Sequence, residues 1–67
     1  MTHKFDGLST EVMILKAILH HSQQYKAWPK TITLNPTHQP YAKLFLSASA
    51  IEAVGSDEVA ADEVVTS

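Results

Sequence analysis

The sequence predicts a small, mainly α-helical domain of two helices, with one short strand or extended segment between them. Three observations support this prediction. Apolar residues recur at three- and four-residue spacing before Pro29, a β-branched stretch follows that proline, and an alanine-containing run follows Pro36. A chain of 67 residues has room for one core, at the lower limit of independent stability. We therefore expect a domain that oligomerises.

The first helix is predicted from about Ser9 to Lys26. Ser9 or Thr10 can cap its N-terminus, and Glu11 lies in the first turn, where the helix dipole favours a carboxylate. Pro29 disfavours helical geometry at the residue before it, which ends the helix near Lys26. The residues expected on its apolar face are Ile14, Leu15, Ile18, Leu19, Ser22 and Tyr25.

Residues 30–34 are predicted to form a short strand. The sequence Lys-Thr-Ile-Thr-Leu alternates polar and apolar residues, and Asn35-Pro36 ends the pattern. A single strand cannot satisfy its own backbone hydrogen bonds. Its partner is either residues 43–48 of the same chain or its own copy across a dimer axis.

Residues 41–54 fit both a strand and a helix, because their apolar residues alternate and also follow a helical spacing. We favour the helix, since alanine is frequent there and Pro40 suits a first turn. Thr37 can cap this helix, and Gly55 stands where a C-terminal cap is expected.

Charge divides the chain into a predicted domain, residues 1–55, and an acidic C-terminal tail, residues 56–67. Residues 1–51 carry a net charge of +3, whereas residues 52–67 carry −5. The sequence Asp-Glu-Val occurs twice in this tail, at residues 57–59 and 62–64. A repeat of five residues forms no apolar stripe on a helix. We expect the tail to be flexible.

The composition indicates no enzyme, cofactor or metal site. The chain has no cysteine and only two glycines, so it lacks thiolate chemistry and a glycine-rich phosphate loop. His20 and His21 are adjacent and point about 100° apart on a helix, which does not suit a shared metal ion. The longest apolar run, Val12 to Leu15, is too short to cross a membrane. We expect a cytoplasmic protein with no catalytic residues and no membrane association.

The function predicted from these features is non-catalytic protein–protein interaction, as an adaptor or inhibitor of a larger macromolecule. Large rings with a polar group are frequent at binding hot spots, so Trp28, Tyr25 and Tyr41 are the predicted partner-binding residues. The identity of the protein partner does not follow from the sequence. We also expect a homodimer or higher oligomer, since burial between subunits supplies stability that a short chain lacks.

The alternative is an α+β domain with strand-helix-helix order, which binds DNA as a dimer. Residues 30–66 resemble the ribbon-helix-helix family in the order of their predicted elements, and that resemblance implies that paired ribbons enter the major groove. The residues that would then contact DNA are Lys30, Thr31, Thr33 and Asn35. The ribbon has no arginine and its second helix is acidic, so nucleic acid is not the partner that we favour.

Overall fold

The computed structural model describes residues 1–67 as an α+β fold with a four-stranded mixed sheet and two helices. The order along the chain is β-α-β-α-β-β. The elements are β1 (Thr2–Lys4), α1 (Thr10–Tyr25), β2 (Thr31–Leu34), α2 (Gln39–Phe45), β3 (Glu52–Gly55) and β4 (Glu63–Thr66).

The sheet has the strand order β1-β4-β2-β3. The C-terminal strand β4 lies between β1 and β2 and is antiparallel to both, with Val64 opposite His3 on one side and Leu34 on the other. Strand β3 runs parallel to β2 at the other edge of the sheet. The strands β1, β2 and β3 therefore all point the same way, and β4 alone is reversed.

Both helices cover the same face of this sheet. Helix α1 packs on β4, α2 packs on β3, and the two helices also contact each other. This is the arrangement that two right-handed crossovers between parallel strands produce. Side chains on the covered face are buried and those on the other face are partly exposed, as in β4, where Val64 and Thr66 are buried and Val65 is not.

The core lies between the helices and the covered face of the sheet. Its fully buried aliphatic residues are Ile14, Ile32, Leu34 and Val64. Phe5 and Leu46 close the ends of the same cluster. Because these side chains come from five different segments of the chain, the core forms only when the sheet and both helices are assembled.

The local predictions for the first half are confirmed. Ser9 caps α1 by accepting a hydrogen bond from the Val12 N–H at 3.3 Å. Lys26 ends the helix in a left-handed conformation, with φ of 59°, and its N–H donates to the Ser22 carbonyl. Strand β2 forms within the predicted residues 30–34.

The prediction of a mainly α-helical fold is wrong, because the second helix is much shorter than expected. Helix α2 ends at Phe45, and residues 52–55 form β3 instead of the last turns of a helix. Gly55 therefore belongs to a strand and caps no helix. The apolar residues that alternate between Leu44 and Ala50 lie in α2 and the turns after it, whereas β3 shows no alternation and obtains its hydrogen bonds from β2, which is distant in sequence.

The strand-helix-helix alternative is also wrong. It needs a second helix after Gly55, where the structure has turns and then β4. Strand β2 has neighbours on both sides, β4 and β3, so its backbone is already paired within one chain. It cannot form a ribbon with a second copy.

The expected acidic tail is likewise part of the domain. Residues 63–66 form a central strand, and Val59 is buried in the connection before it. The carboxylates stay near the surface while Val64 points into the core, so a charged segment can still supply a buried strand.

Two adjacent valines test the role of β4. Val64→Ala removes two methyl groups from a site with no solvent exposure, so it should lower the free energy of unfolding by about 2 kcal/mol. Val65→Ala alters the partly exposed face and should cost less than about 1 kcal/mol. Urea unfolding at equilibrium measures both values, and equal losses would contradict the assigned register.

Candidate functional site

A cleft opens at the end of the sheet where the parallel strands β2 and β3 begin. It lies between the connection from α1 to β2 and the connection from α2 to β3, and its volume is about 550 Å³. This volume is within the range of binding pockets in proteins. Its lining residues are Ile18, Trp28, Pro29, Lys30, Leu46, Ser49, Ala50 and Ile51.

Trp28 forms the exposed wall of the cleft. The left-handed turn at Lys26 ends α1, and Pro29 restricts the backbone before β2, so the ring is held in a short connection outside the core. Its side chain is 69% exposed. Ile18 and Leu46, which are buried, form the inner wall, and Lys30 is the only charged residue of the lining. The cleft thus suits an apolar group that enters beside a positive charge.

The outer surface of the two helices carries a second apolar region. Tyr41 and Phe45 lie one turn apart on α2, with ring centroids 5.9 Å apart and nearly parallel planes. Leu44, between them in sequence, is 76% exposed. On α1, Leu15 and Leu19 also lie one turn apart and are about half exposed. We call these five residues the helix-layer patch.

The helix-layer patch lies on the outer surface of the two helices, away from the flanks that face the outer strands β1 and β3. On α1, His20 marks the flank beside β1, because its ring lies 5.9 Å from that of His3. Leu15 and Leu19 lie on the other flank of α1 and thus on the side of α2. On α2, Gln39 marks the flank beside β3, since its Nε2 donates to the Ala53 carbonyl at 3.2 Å. Tyr41 and Phe45 lie on the opposite flank, towards α1.

A buried polar network joins β1, α1 and β4 below this layer. The Thr66 Oγ1 lies 2.9 Å from His3 Nε2 and 2.7 Å from His21 Nδ1. The hydroxyl has one hydrogen to donate, so it can donate to one ring while it accepts from the other. Burial lowers the pKa of His3 below its usual value, and the neighbouring charges of His20, the N-terminus and His21 lower it further. The network ties His3 on β1 and His21 on α1 to Thr66 and thereby helps to fix the register of β4.

The structure does not bring the three predicted partner-binding residues together. Trp28 lines the cleft, Tyr41 belongs to the helix-layer patch, and Tyr25 lies at the end of α1 with its ring 4.6 Å from that of His21. Tyr25 is more than half exposed. The three rings therefore remain predicted contact residues, but on separate parts of the surface.

The four residues considered for DNA contact are also dispersed. Lys30 lines the cleft, and Thr31 and Thr33 lie on the uncovered face of the sheet. Asn35 is engaged within the fold, because its Nδ2 donates to the Val59 carbonyl at 2.9 Å and its Oδ1 accepts two hydrogen bonds from Thr37. They do not form one surface.

Sequence reasoning missed the exposure of Leu15, Leu19 and Leu44. Leu15 and Leu19 were expected on the buried face of α1, yet the core takes Ile14 and Ile18 and leaves these leucines outside. The available signal was the width of the apolar stripe on α1, which exceeds what a single packed face needs. Which apolar residues of α1 remain exposed depends on the side of the helix that packs against the sheet.

Comparison with protein-family models found no match, and neither the curated proteins nor the solved structures gave one. Within the structure itself, no group of three or more histidine, aspartate or glutamate side chains is placed to hold a metal ion. Neither helix has the length and apolarity needed to cross a membrane. The two apolar surfaces, the cleft and the helix-layer patch, are the features of the molecule that indicate a binding function.

The histidine network predicts a pH dependence of stability. The unfolded chain binds a proton at His3 near pH 6.5, whereas the folded protein resists protonation there, so stability is complete above about pH 6.5 and decreases as pH falls below it. The urea concentration at the midpoint of unfolding should thus decrease when the pH is lowered from about 7.5 to about 5. The His3→Gln variant should show a smaller decrease over the same range. A wild-type midpoint that stays constant or rises on acidification would contradict this assignment.

Proposed function

We propose that this chain is a small, non-catalytic protein–protein interaction module, an adaptor or inhibitor of a larger macromolecule, which also self-associates. The observation that carries the proposal is the helix-layer patch, five large apolar side chains that the rest of the chain leaves between about a third and three quarters exposed. Scattered exposed apolar residues are normal in small proteins. A set of five on the outer surface of two adjacent helices is typical of an interaction surface.

The composition of the helix-layer patch supports a protein partner. Tyr41 and Phe45 present stacked rings, and aromatic residues are enriched at the energetic centres of interfaces. Leu44 projects beyond them and can fill a pocket of a partner. Lys43 and Lys16 lie on the same helices and supply charged groups of the kind that is found in the rim of an interface.

The size of the molecule supports self-association as well. Specific interfaces bury about 800 Å² on each partner, which is about a fifth of the 4223 Å² that this chain exposes. A core of ten buried apolar residues provides limited stability by itself, so contact between copies adds apolar burial that one copy cannot provide. Tyr25 and Trp28 lie outside the helix-layer patch and are available for that second contact.

The ribbon-helix-helix alternative is not proposed for this chain, since its ribbon and its second helix are absent from the fold. Strand β2 is an interior strand, and the segment after Gly55 leads into β4. The resemblance that supported DNA binding was a resemblance in element order, which the structure does not have.

Paired substitutions on α2 test the interaction surface. The double variant Tyr41→Ala, Leu44→Ser should reduce binding to the protein partner in extracts of the native host at least tenfold, about 1.4 kcal/mol, because it removes the centre of the helix-layer patch. Both side chains are exposed, so the melting temperature should change little.

The matched control is Lys43→Ser, which alters the same helix outside the apolar centre. It should retain the partner at nearly the wild-type level, since a rim charge contributes little. Photo-cross-linking from position 44, with position 58 as a distant control, identifies the bound protein. Equal binding by wild type and the double variant would contradict the assignment of the helix-layer patch.

A further inference from the structure

The topology collects the carboxylates at one end of the molecule. The strands β1, β2 and β3 all finish at the same end of the sheet, and the antiparallel strand β4 begins there. Segments at these strand ends carry six of the seven acidic residues. They are Asp6, Glu11, Asp57, Glu58, Asp62 and Glu63. We call this end the acidic edge.

The cleft lies at the opposite end, where β2 and β3 begin. Lys30 lines it, and Lys26 ends α1 two residues before Trp28. Glu52, at the start of β3, is the one acidic residue placed at this end. The molecule therefore has an acidic edge and, about one strand length away, an apolar cleft with Lys30 in its lining. Such a distribution orients an acidic surface towards the cleft.

The acidic edge also carries an exposed aliphatic side chain. Leu8 is 36% exposed in the connection between β1 and α1, between Asp6 and Glu11 in sequence. Gly7 turns the chain just before it with φ of 69°, and no other atoms lie within 4 Å of the position that its Cβ would take. Leu8 thus stands on an open turn with carboxylates on both sides.

We propose that the occupant of the cleft is the acidic edge of a second copy of this chain, with Leu8 inserted against Trp28. The carboxylates of Asp6 and Glu11 then approach Lys26 and Lys30 at the mouth of the cleft. This inference rests on the proposed self-association and specifies its two surfaces. The cleft, at about 550 Å³, is larger than a leucine side chain and also admits the residues beside it.

This contact is heterologous, because the two surfaces are different and lie at opposite ends of the chain. Each copy can receive one neighbour in its cleft and insert its own Leu8 into another, which produces a ring or an open row. The helix-layer patch takes no part in the contact. A row of copies consequently retains one such patch per copy for a larger partner.

Complementary variants give a decisive test of this geometry. Leu8→Ser retains the cleft but loses the inserting side chain, and Trp28→Ala retains Leu8 but loses the wall of the cleft. Each variant alone should sediment as a 7.4 kDa monomer under conditions where the wild type is larger. An equimolar mixture should form a dimer that grows no further, since one functional pair of surfaces remains.

Fluorescence reports the same event inside the cleft. Trp28 is the only tryptophan of the chain, so in this mixture the emission comes solely from the Leu8→Ser copy. Its emission should shift to shorter wavelength when the Trp28→Ala copy inserts Leu8. The matched control is the double variant Leu8→Ser, Trp28→Ala, which has no inserting side chain and should leave the emission unchanged.

Charge reversal tests the electrostatic part, and it also covers the case in which Leu8→Ser fails to fold. Lys30→Glu should weaken self-association at least tenfold, and adding a Glu11→Lys copy should restore binding to that cleft. Wild-type association should also weaken when salt rises from about 0.05 M to about 0.5 M.

The outcomes separate this inference from the proposed function. If Leu8→Ser and Trp28→Ala both oligomerise as the wild type does, another surface mediates self-association, so the inference is wrong while the proposed function stands. If the wild type remains monomeric and a different acidic protein shifts the Trp28 emission, the second copy is the wrong occupant. A wild type that neither self-associates nor binds a partner overturns both.

Discussion

The fold depends on the insertion of β4 between β1 and β2. This strand makes antiparallel ladders on both sides, and without it β1 has no neighbour and β2 retains only β3. Val64 then supplies a fully buried side chain beneath the helices, and Thr66 joins His3 and His21 by its hydroxyl group. Burying these polar groups costs little free energy because every buried side-chain nitrogen and oxygen has a hydrogen-bond partner. The backbone ladders, the buried hydrogen bonds and part of the apolar core therefore all depend on the four residues of β4.

Elements with local signals could be predicted from the sequence, and those that depend on distant pairing could not. Helix α1 has its cap, its apolar spacing and a proline after it within one stretch, and β2 has clear alternation. Residues 52–55 have no such signal, and residues 63–66 have only a short β-branched run, so both four-residue strands depend on hydrogen bonds from segments far away along the chain. Without that knowledge, alanine content favours helix for the first, and acidic composition favours a tail for the second.

The same distinction applies to the candidate sites. Trp28 could be singled out because a large ring before a proline at a helix end has few ways to be buried, and it is exposed. The exposure of Leu15 and Leu19 could not be predicted, since it depends on which side of α1 faces the sheet. The positions of the charged residues could likewise be predicted only in part. The sequence shows a net charge of −5 in its last sixteen residues, but only the topology places Asp6 and Glu11 beside them.

The central position of β4 also determines when this protein can fold. The strand β4 follows β1, β2 and β3 along the chain, so until residues 63–66 have been synthesised β1 and β2 have an empty strand position between them. Both facing edges then expose unpaired backbone groups, which are templates for any other strand. The sheet is complete only after β4 has been synthesised, and two unfinished chains in proximity can exchange this strand. The short acidic segment that precedes β4 limits this exchange, because like charges on neighbouring chains repel each other.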